Sequence, residues 1–499
     1  MKKNTLFLSI ALILLWPGRK MHAQIDTLLL KLEDVVNIAQ SESPEIQIAE
    51  TAMKNSYWQF QSFLADFRPQ INLQATLPNL NRSIDPIVLP DGSEVFISRA
   101  LMRNSLGITL SQDIPLTGGS VFARTRLQRI DVFGTSGNQR NISYLSTPIS
   151  IGLIQPLFGF NGLKWARRIE PIRYEESKRL YSEDALNVAF DAAALFFDVL
   201  IAQLNSEAAL RNKVDADTLY AISQGRYSVG RIAETELLQI ELNVQNAETA
   251  LAQSQLTTQT STEALRNFLG IQEEVAFDLI PPYQLPAFAL DAAKALEMAR
   301  LYRSETVSFR RRLVEADQDM AQARGNTGPS VDLFASFGLS QTGSALGDVY
   351  ADPLDQEQIQ IGLEVPIADW GKARSVLEIA RSNASLTRMR VEQERVNFER
   401  EILVKVQQFD LQRRQVDVAL RAYEVAQKRL DITRKRYRIG KILITDLNLA
   451  LSEEANARRN YFNALREFWL AYYDLRRLTL YDFEQNRPLT RSLPASVEE

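Results

Sequence analysis

Small and large apolar residues recur at steps of three and four along several long stretches of the chain. One such run consists of Ala185, Val188, Ala192, Leu195, Phe196, Val199 and Leu200. This spacing is typical of amphipathic helices and predicts long helices at about 163–223 and 373–435, followed by helices at 233–269 and 444–478. A helix of roughly 60 residues is about 90 Å long, which suits laterally packed coiled-coil helices. A soluble coiled coil used as a spacer explains these helices equally well.

Four shorter segments alternate apolar and polar residues with the period of a β-strand. They lie at 71–77, 149–153, 331–339 and 359–365. One apolar and one polar face fits a barrel strand between lipid and water, although a half-exposed soluble sheet alternates in the same way. Because single-chain barrels begin at about eight strands, four strands per chain require an oligomer with cyclic symmetry to close a barrel.

The strands and helices belong to a duplicated unit. Residues 224–254 and 434–464 align without a gap, at a constant offset of 210 residues. The matched pairs include Arg226 with Arg436, Tyr227 with Tyr437 and Gly230 with Gly440. Upstream of the strands the offset becomes 260, so the first copy carries 50 extra residues.

This duplication predicts how the chain is organised. We expect a first repeat at 24–285, which contains the insertion at about 78–148, a second repeat at 286–482 and a C-terminal tail at 483–499. The insertion holds a further hairpin, in which 106–110 returns through Thr117, Gly118 and Gly119. The sequence leaves open whether this hairpin joins the barrel, caps it outside or packs below it.

The first 23 residues are predicted to be a cleaved export signal. Lys2 and Lys3 precede an apolar run at 6–16, and Met21-His22-Ala23 ends the segment. A membrane anchor would need about 20 apolar residues, and this run is shorter. No other stretch is expected to be long and apolar enough to span a membrane as a helix, so any further membrane entry is expected to use strands.

Composition excludes several classes of site. The chain has no Cys, and its only His, His22, lies in the predicted signal. Catalytic triads, zinc sites, haem attachment and disulfides are therefore not expected, and neither is a cofactor. Removal of four Lys and Arg residues with the signal changes the net charge from -4 to -8, and an acidic chain is a poor partner for nucleic acid.

The chain resembles the TolC-type outer-membrane efflux proteins over essentially its whole length after residue 23. The resemblance rests on LKLEDVVNIAQSESPEIQIAE, on the strand-to-helix joins QPLFGFNGLKWAR and VPIADWGKAR, and on two Tyr-x-x-Gly turns. It implies a homotrimer whose 12-stranded β-barrel in the outer membrane of a Gram-negative bacterium continues as an α-helical barrel across the periplasm. It also implies an exit duct for efflux or type I secretion that meets a periplasmic adaptor (membrane fusion) protein and an inner-membrane transporter.

The two Tyr-x-x-Gly turns are the predicted periplasmic tip. A glycine at a helix C-terminus and an acid in the next first turn are explained by helix physics alone. The resemblance adds that Tyr437 matches a tyrosine that latches adjacent helices, and that Asp446 matches a pore-facing gate residue. Three copies of Asp446 would form a carboxylate ring that favours cations.

Two positions depart from the family pattern at this gate. A second gate aspartate is replaced by Leu449, and a gate arginine by Ile442, which favours a hydrophobic ring above the carboxylates. The resemblance implies adaptor docking at the tip, by Tyr227, Gly230, Arg231, Glu236, Tyr437, Arg438, Gly440 and Lys441. The basic run at 434–441 is more typical of a solvated helix end than of a partner site, and the sequence leaves open whether Glu236 faces the lumen.

Trp165 and Trp370 follow equivalent strands and either anchor at the inner membrane interface or pack under the barrel.

Two other functions fit parts of the sequence. An exported glycosidase would need paired carboxylates, but no acid lies in a Gly-rich or aromatic loop cluster. A periplasm-spanning scaffold or adhesin without a pore would share the coiled coils, but would not need strands between each helix pair.

Overall fold

The computed structural model describes residues 27–133, 140–273 and 275–492. The predicted signal at 1–23 and the last part of the tail lie outside the described residues. The helices are α1 (Leu32–Glu42), α2 (Pro44–Asp66), α3 (Gly162–Ser228), α4 (Glu234–Leu269), α5 (Ala292–Tyr302), α6 (Ser304–Thr327), α7 (Lys372–Arg438) and α8 (Ile444–Thr479). The strands are β1 (Thr27–Lys31), β2 (Gln70–Val88), β3 (Glu94–Ile114), β4 (Gly119–Phe133), β5 (Arg140–Pro156), β6 (Ala276–Ile280), β7 (Ser330–Gly343), β8 (Leu354–Glu364), β9 (Tyr481–Asp482) and β10 (Arg487–Pro488).

The helices come in four pairs at the offsets found in the sequence, and three of the pairs have equal lengths, while α2 has 23 residues and α6 has 24. The helices α3 and α7 have 67 residues each, α4 and α8 have 36, and α1 and α5 have 11. Both long helices continue to the residue two positions before the turn glycine, past the predicted ends at 223 and 435. The helix α3 continues because Gly225 is exposed and tolerated inside it.

The structure divides into two compact units. The first contains Ala192–Gln284 and the segment that ends at Ala39. Within it β1 and β6 form a parallel pair, from Thr27 opposite Ala276 to Lys31 opposite Ile280. This pair is not predictable from the sequence pattern, because each strand has only five residues, too few to show a period.

The second unit contains an antiparallel six-stranded sheet with the order β2-β3-β4-β5-β7-β8. All four predicted strands are present, as β2, β5, β7 and β8. The hairpin of the insertion supplies the other two, β3 and β4, and lies inside the sheet between β2 and β5. A 12-stranded barrel of three copies presupposes four strands per chain, whereas the sheet formed by the described residues has six.

The two faces of the sheet differ in polarity along rows of directly opposed residues. One row consists of the apolar residues Ile71, Leu110, Ala123, Ile151 and Phe337 and ends at Glu357 on the edge strand β8. The neighbouring row, on the opposite face, consists of Asn72, Thr109, Arg124, Ser150, Gly338 and Gln356. The alternation read from single strands therefore adds up to one apolar and one polar surface.

Helix packing in the second unit creates small apolar cores. One contains Ile46, Ala49 and Met53 of α2 with Tyr181 and Ala185 of α3. Another contains Ala295, Ala299, Phe398, Ile402, Val406 and Leu475, from α5, α7 and α8. These clusters explain why apolar residues recur at helical spacing.

The expectation that no later segment is apolar enough to cross a membrane was wrong for α3. Among the described residues, this helix contains an 18-residue stretch with a mean hydropathy of 1.8 and few charges. Of that stretch, 61% is buried inside the fold. Burial of this kind is what the core helix of a folded domain shows, and Phe196 and Phe197 of α3 are 0% exposed.

Candidate functional site

The second Tyr-x-x-Gly turn ends α7 with a Schellman motif. The N–H of Gly440 donates to the carbonyl of Tyr437 at 2.9 Å, and the N–H of Lys441 donates to the carbonyl of Arg436 at 3.0 Å. Gly440 has φ 73°, in the left-handed region that glycine adopts without steric cost. The glycine is required here by the backbone geometry of the turn.

The first turn repeats this geometry at the end of α3. Gly230 has φ 71°, and its N–H donates to the carbonyl of Tyr227 at 2.9 Å. The N–H of Arg231 donates to the carbonyl of Arg226, also at 2.9 Å. The explanation of both glycines by helix termination is confirmed, and the duplication extends to individual hydrogen bonds.

Each turn is followed by a helix that begins without a side-chain cap. The N-cap residues are Ala233 for α4 and Leu443 for α8, and neither makes a side-chain cap hydrogen bond. Glu236 and Asp446 are each the third residue of their helix, where the helix dipole favours a negative charge. Asp446 is exposed and Glu236 half-buried, so the two matched acids lie in different surroundings.

The two matched tyrosines also differ in burial. Tyr437 is 1% exposed, whereas Tyr227 is 42% exposed. A tyrosine that is almost fully enclosed in one chain contributes to the packing of its own turn. Tyr227 instead presents its ring at the surface of the first turn.

Exposed apolar residues accompany the basic residues of the second turn. Ile439 is 65% exposed and Leu443 is 64% exposed. Lys435, Arg436, Arg438 and Lys441 are also exposed. Leu449 is 53% exposed and lies three residues after Asp446 in α8, a spacing that places both side chains on neighbouring positions of one helix surface.

The structure distinguishes the two tryptophans after the strands. Trp165 is half-buried, lies in a groove beside Met320 and Arg324, and has the guanidinium of Arg168 5.3 Å from its ring centroid. Trp370 is 98% exposed in the segment between β8 and α7, next to Ile367, which is 97% exposed. The first is therefore a packed residue and the second an exposed one.

The described residues contain no group of three or more His, Cys, Asp or Glu side chains that could hold a metal ion. Glu183 of α3 is a buried acid of the second unit, and its carboxylate lies at the start of α6. Its carboxylate accepts hydrogen bonds from the backbone N–H and the hydroxyl of Ser304. Burial raises the pKa of Glu183, and Arg303 partly offsets this.

A family model described as outer membrane efflux protein matches residues 128–271 and 296–479, which make up more than half of the chain. The chain belongs to the outer membrane efflux protein family. This efflux protein is therefore a transport protein of the outer membrane that extends into the periplasm, and not an enzyme. Membership confirms the resemblance and sets aside the glycosidase and the scaffold or adhesin hypotheses.

One curated relative of this efflux protein is the alkaline protease secretion protein AprF of Pseudomonas aeruginosa. The two are 24% identical over 236 residues, which cover 46% of this chain. The match spans 47% of the relative, about half of its length.

Solved outer-membrane channels share the fold. The CmeC outer membrane channel of Campylobacter jejuni superposes with a TM-score of 0.66 at 16% identity, over 94% of this chain and 88% of that chain. VceC of Vibrio cholerae gives a TM-score of 0.60 at 15% identity, over 90% of this chain and 95% of that one. These matches confirm the predicted fold class, in which long helices combine with a membrane sheet.

Proposed function

We propose that three copies of this chain form an exit duct of a tripartite efflux or type I secretion system. The observation that carries the proposal is the sheet, in which an apolar row runs in register from β2 to β7 and the neighbouring polar row lies on the opposite face. A wall with lipid on one side and water on the other needs this arrangement. The sheet has two open edges, which cyclic pairing between copies would close.

The periplasmic tip is the proposed gate and docking surface. Asp446 and Leu449 are the proposed gate residues, because both are exposed near the start of α8. The proposed docking surface for a periplasmic adaptor, which links the duct to an inner-membrane transporter, consists of Tyr227, Gly230, Arg231, Glu236, Tyr437, Arg438, Gly440 and Lys441. At the second turn, exposed apolar and basic side chains lie beside each other, which supports a contact with another protein there.

The organisation of the chain is part of the same proposal. A mature chain that starts at residue 24 would consist of repeats at 24–285 and 286–482 and a tail at 483–499. The equal lengths of α3 and α7, and of α4 and α8, support this division.

Single-channel conductance in planar bilayers tests the proposal. The wild type is expected to give small, cation-selective steps, and Asp446→Ala to raise the conductance or reduce the cation preference. Asp446→Asn is the matched control for size, and it should resemble Asp446→Ala if charge sets the gate. Folding should be preserved, because a first-turn acid stabilises a helix by only about 0.3–1 kcal/mol.

A closed tip would give silent channels, so a second variant is needed. Deletion of residues 439–443 removes the turn and is expected to open the tip. If this variant is inserted in the bilayer and is trimeric by native mass spectrometry but conducts no ions, the proposal that the protein is a duct is overturned. Docking is tested by a photo-crosslinker at position 439. A photo-crosslinker at the exposed Leu256 of α4 is the control. We expect an adduct with a membrane fusion protein from position 439 only.

A further inference from the structure

We propose that the inserted hairpin β3–β4 is part of the membrane wall, so that three copies close an 18-stranded barrel instead of a 12-stranded one. The number of copies rests on the proposed function. The number of strands that each copy contributes rests on the sheet of this chain alone.

The order of the strands carries the first step. In the described sheet β2 pairs with β3, and β5 pairs with β4 and β7. A barrel of four strands per copy would need β2 directly beside β5. Because β3 and β4 separate these two strands, any wall that contains β2 and β5 contains the hairpin as well.

The polarity of the hairpin carries the second step. On β3, Leu106, Ile108 and Leu110 are 46%, 45% and 40% exposed, and they oppose Ala75, Leu73 and Ile71 of β2. The edge strand β8 exposes Ile361 at 67% on the same face. A cap outside the membrane would have no reason to continue this apolar surface in register with its neighbours.

The length of the hairpin ladder agrees with a membrane strand. The pairs between β3 and β4 run without interruption from Ile114 opposite Gly119 to Ala100 opposite Phe133. A transmembrane β-strand needs about 9–11 residues, and this ladder is longer. The hairpin is therefore long enough to cross a membrane beside β2 and β5.

The extra residue between Thr76 and Asn79 shows that the apolar face is maintained along β2. Before it, Ile71 and Leu73 lie on the apolar face, and after it Leu80 and Ile84 do. The apolar residues of β2 have odd residue numbers before the β-bulge and even numbers after it. Because the bulge inserts one extra residue, both sets lie on the same face of the sheet. The same four side chains are 66–73% exposed.

The directions of the two edge strands allow neighbouring copies to close the barrel. The six strands alternate in direction, so β8 of one copy would run antiparallel to β2 of the next, as an antiparallel barrel requires. Both edge strands are exposed over nearly their whole length. Barrel diameter grows about linearly with strand number, so 18 strands give a lumen roughly 1.5 times as wide as 12.

The hairpin also changes the chemistry of the lumen. Arg103 of β3 and Arg124 and Arg126 of β4 lie on the polar face, and Gly107 lies directly opposite Arg126. Three copies would contribute a ring of guanidinium groups within the wide barrel. Such a ring would favour acidic groups on a passing cargo.

Cysteine scanning of the full chain tests whether the hairpin is wall. The chain has no Cys, so each introduced thiol is the only one. In bilayers Ile108→Cys should react with a water-soluble maleimide about tenfold more slowly than Thr109→Cys, because a thiol in lipid does not ionise. The paired positions on β2, Leu73→Cys and Asn72→Cys, are the matched controls and should show the same contrast. Equal labelling at 108 and 109, with the contrast kept on β2, would place the hairpin outside the wall and overturn the proposal.

Cryo-electron microscopy of the wild type in lipid nanodiscs tests the strand count. A closed ring with six strands from each copy supports the proposal, and a ring with four strands per copy overturns it. Copy number is read from the same map, so a ring of six-stranded copies that is not trimeric rejects the proposed trimer and keeps the six-stranded contribution. A variant with residues 89–139 replaced by a short Gly-Ser linker should close a barrel about one third narrower.

Discussion

Glu183 of α3 caps the start of α6 by accepting two hydrogen bonds from Ser304. Its Oε1 accepts from the backbone N–H at 2.5 Å and its Oε2 accepts from the hydroxyl at 2.9 Å. The N-cap residue of α6, Arg303, provides no side-chain cap, so the acceptor comes from another helix. The guanidinium of Arg303 lies 3.5 Å from the same carboxylate.

We expect this contact to make stability depend on pH. Because burial raises the folded-state pKa of Glu183 above that of the unfolded chain, the folded state binds more protons between these two values. The free energy of unfolding should therefore fall as pH rises from the ordinary glutamate pKa through the raised one. Glu183→Gln should remove this part of the slope, as measured by denaturant unfolding of the detergent-solubilised protein across pH 4–8.

A matched control separates this effect from general acid titration. Glu207 forms an ion pair with Arg211 in which both side chains are 60% exposed, and Glu207→Gln should change the free energy of unfolding by less than about 1 kcal/mol. Glu183→Ala should cost about 1–3 kcal/mol, because it leaves the buried N–H of Ser304 without its acceptor. A slope that is identical in wild type and Glu183→Gln would contradict the assignment.

The second prediction concerns Arg311 of α6, which bridges two acids. Its guanidinium binds Glu176 of α3 at 2.5 and 3.1 Å and Glu315 at 2.8 Å, which raises the pKa of Arg311. Arg311→Lys should lose most of the stabilisation, since an ammonium group cannot make the bidentate contact. We expect a loss of about 1–3 kcal/mol in the free energy of unfolding.

The control for Arg311 is another ion pair of α6. Arg388 of α7 contacts Asp317 of α6 at 3.0 Å, and the two side chains are 59% and 52% exposed. Arg388→Lys should change the free energy of unfolding by less than about 0.5 kcal/mol. Equal losses from the two Arg→Lys variants would show that the bidentate geometry of Arg311 is unimportant.

The sequence predicted the helices and the duplication well because both produce long periodic signals. The turn at Gly440 was predictable from helix termination, and the structure has the expected hydrogen bonds. Side-chain burial was not predictable from the same motif. Tyr227 and Tyr437 have matched sequence positions but exposures of 42% and 1%, because burial depends on which helices surround each turn.

The inserted hairpin shows a different limit. Leu106, Ile108 and Leu110 indicated a strand, but their partners were not deducible from alternation within one segment. Sheet order depends on pairing between segments that are far apart in the chain, and several registers satisfy the same alternation. The parallel pair of β1 and β6 adds a second difficulty to its short strands, since its members lie more than 200 residues apart.

The third prediction uses the unequal tyrosines. Tyr437→Ala should loosen the second turn, because removal of a buried aromatic ring costs about 3–5 kcal/mol locally. Hydrogen exchange should rise across residues 434–446 by at least about tenfold. Tyr227→Ala is the repeat-matched control and should leave exchange at the first turn nearly unchanged, since its ring is exposed. Tyr437→Phe separates the hydroxyl from the ring, and the same protection as in the wild type would assign the effect to packing.

The last prediction concerns Trp370, whose ring is 98% exposed beside the equally exposed Ile367. An exposed tryptophan at the end of a membrane strand suits the lipid interface, where the ring meets both headgroups and acyl chains. Trp370→Phe should therefore remove most of the tryptophan quenching by brominated lipids, at a change in unfolding free energy of less than about 0.5 kcal/mol. Trp165→Phe is the control, because Trp165 is half-buried against Arg168 and should contribute little quenching. If aqueous acrylamide quenches the fluorescence of Trp370 while brominated lipids do not, this residue lies in water. The lipid-facing part of the sheet would then end on β8, before Trp370.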